Sequence, residues 1–218
     1  MTERKNRPMY HFIKRIFDVL ISGIAIVLLA LPMVLIAAAV WLDDPGPVLF
    51  RQKRVGRKRK GQLTYFRIVK FRTMRISAPH DVPTHLLEDP RRHITRVGAF
   101  LRRSSLDELP QLFQVFTGKL SLVGPRPALW TQADLILERE RVGANALRPG
   151  ITGWAQIHGR DTIPLREKVL LDGEYAEALR AGGFRAFVMD LQCLLGTVGC
   201  VCKGDGYAEG KVTSGKNK

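Results

Sequence analysis

Residues 19–41 read VLISGIAIVLLALPMVLIAAAVW, without a charged side chain, and the way this run meets its flanks decides the architecture. As a helix rising about 1.5 Å per residue it measures roughly 34 Å, enough for a hydrocarbon core of about 30 Å. Three readings compete. A cleaved signal is suggested by the basic start and by Ala37-Ala38-Ala39, but the run exceeds the usual apolar stretch of about 7–15 residues. A single-pass anchor is simplest, yet its flanks oppose it. Arg4, Lys5, Arg7, Lys14 and Arg15 precede the run, and Arg51, Lys53, Arg54 and the stretch Arg57-Lys58-Arg59-Lys60 follow it. Positive charge favours the cytoplasmic side, so both ends are drawn to the same face. A re-entrant helix satisfies both clusters if it bends. Pro32 removes a backbone donor near the middle and kinks the helix, and Ser22-Gly23 ease the bend. The re-entrant reading is preferred over the full span.

Working outward, 218 residues suit one domain with its own core. Lys and Arg outnumber Asp and Glu by 35 to 20, a formal charge of +15 that implies a polyanionic partner: nucleic acid, anionic lipid or a phosphorylated substrate. The basic runs lack interleaved aromatics or a nucleic-acid module, so nucleic acid is not expected. Cys193, Cys200 and Cys202 form no CxxC pair and the five histidines show no ligand spacing, which argues against a disulfide framework and a transition-metal site. The cysteines read as reduced thiols packing one helix.

After the apolar run, Asp43-Asp44-Pro45-Gly46-Pro47 reads as a tight turn. Residues 48–56 and 62–71 look like two strands of a hairpin whose basic tip is either a solvated turn or a contact for phospholipid headgroups. Residues 77–90, with three prolines, read as a loop. Helices are expected over 97–103, from about 107 to 116, and over 129–141, 166–180 and 184–202, with a short strand at 151–157. The expected fold is thus α/β and mostly helical: an N-terminal re-entrant helix (1–42), a catalytic domain with a small β-hairpin and interfacial amphipathic helices (43–202), and a flexible tail (203–218).

The chemistry-bearing residues cluster. Asp107 and Glu108 stand side by side in Ser104-Ser105-Leu106-Asp107-Glu108-Leu109-Pro110. Ser105 with Glu108 reads as a capping box; with Asp107 as the cap, Pro110 falls harmlessly in the first turn. Either way both carboxylates sit at a helix N-terminus, where the dipole favours acids without any catalytic role. Around them lie Arg102, Arg126 between Pro125 and Pro127, and Arg148 before Pro149-Gly150. Rigidly held guanidinium groups suit bidentate phosphate binding. Two acids among such arginines point to phosphoryl transfer, one carboxylate attacking phosphorus and the other holding Mg²⁺.

The stretches KRIFD (14–18), DPGPVLFRQKRVG (44–56), KFRTM (70–74), SLDELPQLFQVFTGKLSLVGPRP (105–127) and RPGITGWAQIHGRD (148–161) together resemble the bacterial sugar transferase family. These are monotopic polyprenyl-phosphate sugar-1-phosphate transferases, and the likeness is to their short catalytic-core form. The resemblance implies that Asp107 is the nucleophile and Glu108 the Mg²⁺ ligand. It implies that Arg102 and Arg126 contact substrate phosphates, Arg148 more weakly, and that Lys70 and Asp190 form a structural ion pair. It implies a UDP-sugar donor (N-acetylated or deoxy-amino sugars preferred over hexoses), undecaprenyl phosphate as acceptor, and a place on the cytoplasmic face of the bacterial inner membrane. The rival readings are a non-enzymatic basic protein on acidic lipid or nucleic acid, and a nucleotide-sugar hydrolase.

Overall fold

The computed structural model describes residues 6–78, 90–159 and 163–203. Most of the expected loop at 77–90, Arg160 and Asp161, and the tail from 204 lie outside the described residues. The chain starts with α1 (Asn6–Leu28) and α2 (Ala30–Asp43), which meet at Leu29 with a bend of 62°. Pro32 stands in the first turn of α2, where it has no N–H to offer Leu28, so the helix breaks just upstream of it. Among the described residues no single helix is long and apolar enough to cross a membrane, but this bent pair passes that test together.

The pair is turned inside out relative to a helix of a water-soluble surface. Val27 and Leu28 are 75% and 71% exposed, whereas Asp18 and Ser22 are 2% and 0% exposed. Asp18 accepts from Ser121 Oγ (2.8 Å) and from the Leu122 amide (2.9 Å), and Ser22 Oγ donates to the Asp18 carbonyl. Arg15 donates to the carbonyls of Val115 and Phe116 at 2.6 and 2.7 Å. The polar groups of α1 thus hold the domain, and the apolar side chains face outward, a patch that calls for an apolar surrounding.

Past the turn at 44–47, β1 (Leu49–Val55) and β2 (Tyr65–Phe71) form the expected antiparallel hairpin, with Leu49 opposite Phe71 and Val55 opposite Tyr65. Its tip folds back rather than standing free. Lys58 pairs with Glu140, its amide donates to the Asn145 carbonyl (2.7 Å), and Arg57 Nε reaches the Ala146 carbonyl (3.0 Å). Then come α3 (Pro90–His93) and α4 (Arg96–Ser104), which starts with Thr95 capping the Gly98 amide at 3.0 Å. A Cβ on Gly98 would stand 2.1 Å from the Thr73 carbonyl, so only glycine lets α4 lie this close to the end of β2.

The second half contains α5 (Gln111–Phe116), β3 (Ser121–Val123), α6 (Ala133–Arg141), β4 (Gly150–Thr152), α7 (Trp154–Ile157), α8 (Leu165–Ala181) and α9 (Gly183–Lys203). β3 and β4 are parallel, pairing Ser121 with Gly150 and Val123 with Thr152. The expected strand at 151–157 is therefore only its beginning; the rest is α7. The helix expected from Leu129 begins instead at Ala133, because Leu129 bridges Arg54 and prolongs the sheet before the chain turns. Cys193 is buried and Cys200 half-buried along α9, both as free thiols, and burial pushes the Cys193 thiol up to about 12. A core of Tyr10, Val123, Tyr175, Leu179, Ala186 and Cys193 joins α1 to α8 and α9.

Candidate active site

The acidic pair does not open an α-helix. Ser105 adopts a left-handed backbone (φ 57°, ψ 15°) and ends α4, its amide reaching back to the Arg102 and Leu101 carbonyls. Leu106–Glu108 then forms a single 3₁₀ turn, and α5 starts only at Gln111, with Pro110 before it. Neither expected cap is made: among the described residues no side chain caps the 3₁₀ turn or α5. The reason lies in Pro110, which has no N–H for Leu106 and so forbids a continuous helix from 106 onward. A non-glycine residue in the left-handed region, two positions before Asp107, is local backbone strain.

This turn lodges Asp107 in the protein, 5% exposed, against β2. Lys70 Nζ lies 3.7 Å from Asp107 Oδ2. Arg126 directs Nη1 and Nη2 at Glu108 Oε1, both at 3.2 Å. Arg102 is steadied by Thr73, whose Oγ1 accepts from Nε at 2.8 Å. A shallow cleft opens among Arg54, Lys70, Glu108, Gln111 and Arg126. The KFRTM stretch gains a physical account here. Lys70 faces Asp107, Arg72 pairs with Asp44 (2.7 Å) at the end of α2, and Thr73 orients Arg102.

Burial pushes the Asp107 carboxyl above the ordinary aspartate range, and the Glu108 charge pushes the same way, against the pull of Lys70, Arg102 and Arg126. Burial likewise lowers the Lys70 ammonium, with Asp107 acting to restore it. Among the described residues no hydrogen bond reaches the Asp107 carboxylate. It is a desolvated carboxylate facing a cationic shell, an arrangement able to receive an anionic phosphoryl group.

The structure therefore brings together Asp107, Glu108, Arg102 and Arg126, as expected from the sequence. Arg148 stands apart from them. The charges acting on it are Arg15, Asp18, Arg57 and Arg59, and burial lowers its guanidinium from the usual value. The expected ion pair between Lys70 and Asp190 is not formed. Asp190, on α9, faces α1 and pairs with Lys14 at 2.6 Å, while Lys70, on β2, points to the 3₁₀ turn. The sequence reading also missed Thr73, Gln111 and Arg54. The alternation of β2 carried one signal, since Ile68 and Lys70 share a face and both line the cleft.

Residues 9–204 match the family described as bacterial sugar transferase. The chain belongs to the bacterial sugar transferase family. One member, an exopolysaccharide production protein of Rhizobium leguminosarum bv. phaseoli, is 39% identical over 193 residues, which is 85% of this chain and 93% of that protein. A sugar transferase of Bacillus subtilis, EpsL, is 37% identical over 197 residues, 90% of this chain and 91% of its own length. The undecaprenyl-phosphate glucose phosphotransferase of Komagataeibacter xylinus is 44% identical over 177 residues, 76% of this chain but 32% of the relative. The chain thus spans most of the length of some relatives and about a third of the length of others.

Proposed function

We propose that this family member transfers a sugar-1-phosphate from a UDP-sugar to undecaprenyl phosphate, releasing UMP, as the first membrane step of a capsule, exopolysaccharide or other glycan. The observation that carries this reading is the buried Asp107, without a hydrogen bond among the described residues, 3.7 Å from Lys70 and beside Glu108. Several relatives are named for such transfers, one of glucose-1-phosphate from UDP-glucose and one of an N-acetylgalactosamine phosphate from UDP-N-acetylgalactosamine.

In the first half-reaction an Asp107 carboxylate oxygen attacks the sugar-proximal phosphorus. The bond from that phosphorus to the bridging oxygen breaks, and UMP leaves with the electron pair. In the second, a phosphate oxygen of undecaprenyl phosphate attacks the same phosphorus and the Asp107 oxygen departs, which yields the lipid diphosphate-sugar. A covalent intermediate lets a water-soluble donor and a lipid acceptor use one small site in turn. Arg102 and Arg126 bind and orient the phosphates, and Lys70 offsets the Asp107 charge as the donor approaches.

Among the described residues no group of three or more acids, histidines or cysteines could cage a metal. Mg²⁺ needs only one or two carboxylates from the protein and completes its shell with substrate phosphates and water. Glu108 is the residue to hold it, and when bound the ion neutralises diphosphate charge. On the same reading the bent pair α1–α2 enters and leaves the cytoplasmic face of the bacterial inner membrane. Phospholipids then cover its exposed apolar side and the domain over 43–202 rests at headgroup level. Cysteines introduced at Met1 and Arg57 should both resist a periplasmic thiol reagent; opposite labelling would rule out the re-entrant topology.

The activity test uses the chain in nanodiscs with undecaprenyl phosphate, Mg²⁺ and a panel of UDP-sugars that includes glucose and N-acetylgalactosamine. Lipid-dependent UMP release from one donor is expected. Continuous release without lipid would instead mark a hydrolase.

A further inference from the structure

The segment Gly124-Pro125-Arg126-Pro127 presents one of the two guanidinium groups assigned to the donor, yet it has few means of holding itself in place. Two of its residues are prolines without an N–H; the Gly124 amide donates to the Thr152 carbonyl (2.8 Å), and carbonyls supply much of the remaining anchorage. Each carbonyl from Pro125 to Ala128 has a donor: the Gly150 amide on Pro125 O (3.0 Å), Arg139 Nη1 on Arg126 O (2.8 Å), Arg54 Nη1 on Pro127 O (3.1 Å) and the Val55 amide on Ala128 O (2.9 Å). The clamp on Arg126 itself comes from a side chain that is 4% exposed.

Arg139 is fixed from its other side. Its Nε and Nη2 grip Asp172 Oδ2 at 2.7 and 2.6 Å, and Asp172 is 1% exposed on α8. One planar fork thus joins α8 to the Arg126 backbone, whose own guanidinium reaches Glu108. A buried ion pair is a poor device for stability alone, since well-packed apolar residues in its place are often as stable or more so. Its geometric value is plain: the fork delivers a rigid donor to one carbonyl, and displacements of about 1 Å at a positioning group can cost roughly a hundredfold in rate.

We propose that Arg139, anchored by Asp172, is a positioning residue that sets where the Arg126 guanidinium meets the donor phosphates. The inference rests on the proposed role of Arg126 in binding a nucleoside diphosphate sugar, and adds to it the device that aims the group. It acts through Arg126, so its effect must vanish when that side chain is gone.

The test uses the full chain in nanodiscs. Breaking one partner alone invites misfolding, so Arg139→Met and Asp172→Leu are combined to keep an apolar, filled interior. Arg139→Lys serves as the milder variant, because an ammonium can hold Asp172 but lacks the fork that also spans to Arg126 O. Thermal unfolding, donor KM and kcat, and equilibrium binding of UDP are read for each, with and without Arg126→Ala. The expected result is a thermal midpoint near wild type, a donor KM and UDP dissociation constant raised about tenfold, and no further change in the Arg126→Ala background. Unchanged UDP binding in folded variants would overturn the proposal, as would a full additional loss in the Arg126→Ala background. Absence of turnover in the wild type, with UDP binding still responding to Arg139, would instead count against the transferase reading and leave the clamp standing.

Discussion

Asp190 and Asp107 each face a lysine, Lys14 at 2.6 Å and Lys70 at 3.7 Å, and the rest of their surroundings diverge. Asp190 also accepts from Tyr10 (2.5 Å) and Tyr175 (2.6 Å), so both of its oxygens are occupied and it ties α1 to α8 and α9. Asp107 has cations nearby but, among the described residues, no donor in hydrogen-bonding contact. The Asp190 carboxylate is saturated by the fold itself, whereas that of Asp107 accepts no hydrogen bond among the described residues. The comparison also accounts for the misassigned ion pair: two lysines and two aspartates were available, and only the fold decides which lysine serves which acid.

The largest effect that sharpens this contrast is on activity. Asp107→Asn should lower turnover by on the order of 10⁴-fold or more, the usual scale for loss of a nucleophile. Its folded stability should hold or rise. Burial raises the Asp107 pKa in the folded state, so the native protein is penalised as pH climbs through that value, and a neutral amide removes the penalty. A thermal midpoint that falls sharply would mean Asp107 holds structure after all.

Asp190→Ala should show the reverse pattern. Leaving Lys14 without its partner is expected to cost about 3–5 kcal/mol in unfolding free energy, measurable by thermal or chemical denaturation. Activity per folded molecule should stay close to wild type.

Lys70→Met probes the contact on the catalytic side. Lys70 acts to lower the Asp107 pKa, so its loss should move the acid limb of the pH–rate profile to higher pH. At neutral pH turnover should fall by roughly ten- to a hundredfold. An unmoved limb would separate Lys70 from the ionisation of Asp107.

The smallest effect is expected at the arginine that stands apart. Arg126→Lys should raise donor KM about tenfold, while Arg148→Lys should change it less than about threefold, or under ~0.7 kcal/mol. Equal effects would bring Arg148 back to the donor.

Periodicity and turn chemistry made much of the fold legible. The hairpin showed as two strand-like runs, 48–56 and 62–71, on either side of a basic turn, and α8 and α9 emerged within one residue of their expected ends. The bend near Pro32 was readable from one missing N–H. What stayed hidden was long-range or very short. β3 and β4 have three residues each and exist because Asp18 and a neighbouring glycine pair hold them; a Cβ on Gly150 would stand 2.1 Å from the Gly124 amide. Motif spacing brought Asp107, Glu108 and Arg126 to notice, but their surroundings required coordinates. The left-handed Ser105 gives no sequence signal, since glycine or asparagine usually takes that position. Arg148 shared the proline-bound setting of Arg126, which marks rigidity and says nothing of direction.

Whether Asp107 forms a bond to phosphorus is tested most directly by peptide mass spectrometry. The purified chain is mixed with Mg²⁺ and its UDP-sugar donor in the absence of undecaprenyl phosphate, quenched and digested. The account predicts a mass increase of one phosphosugar on the peptide bearing Asp107, one UMP released per enzyme, and loss of the adduct when undecaprenyl phosphate is added. UMP release that occurs only with the lipid present, with no adduct at any time, would contradict it and indicate direct transfer between the two substrates.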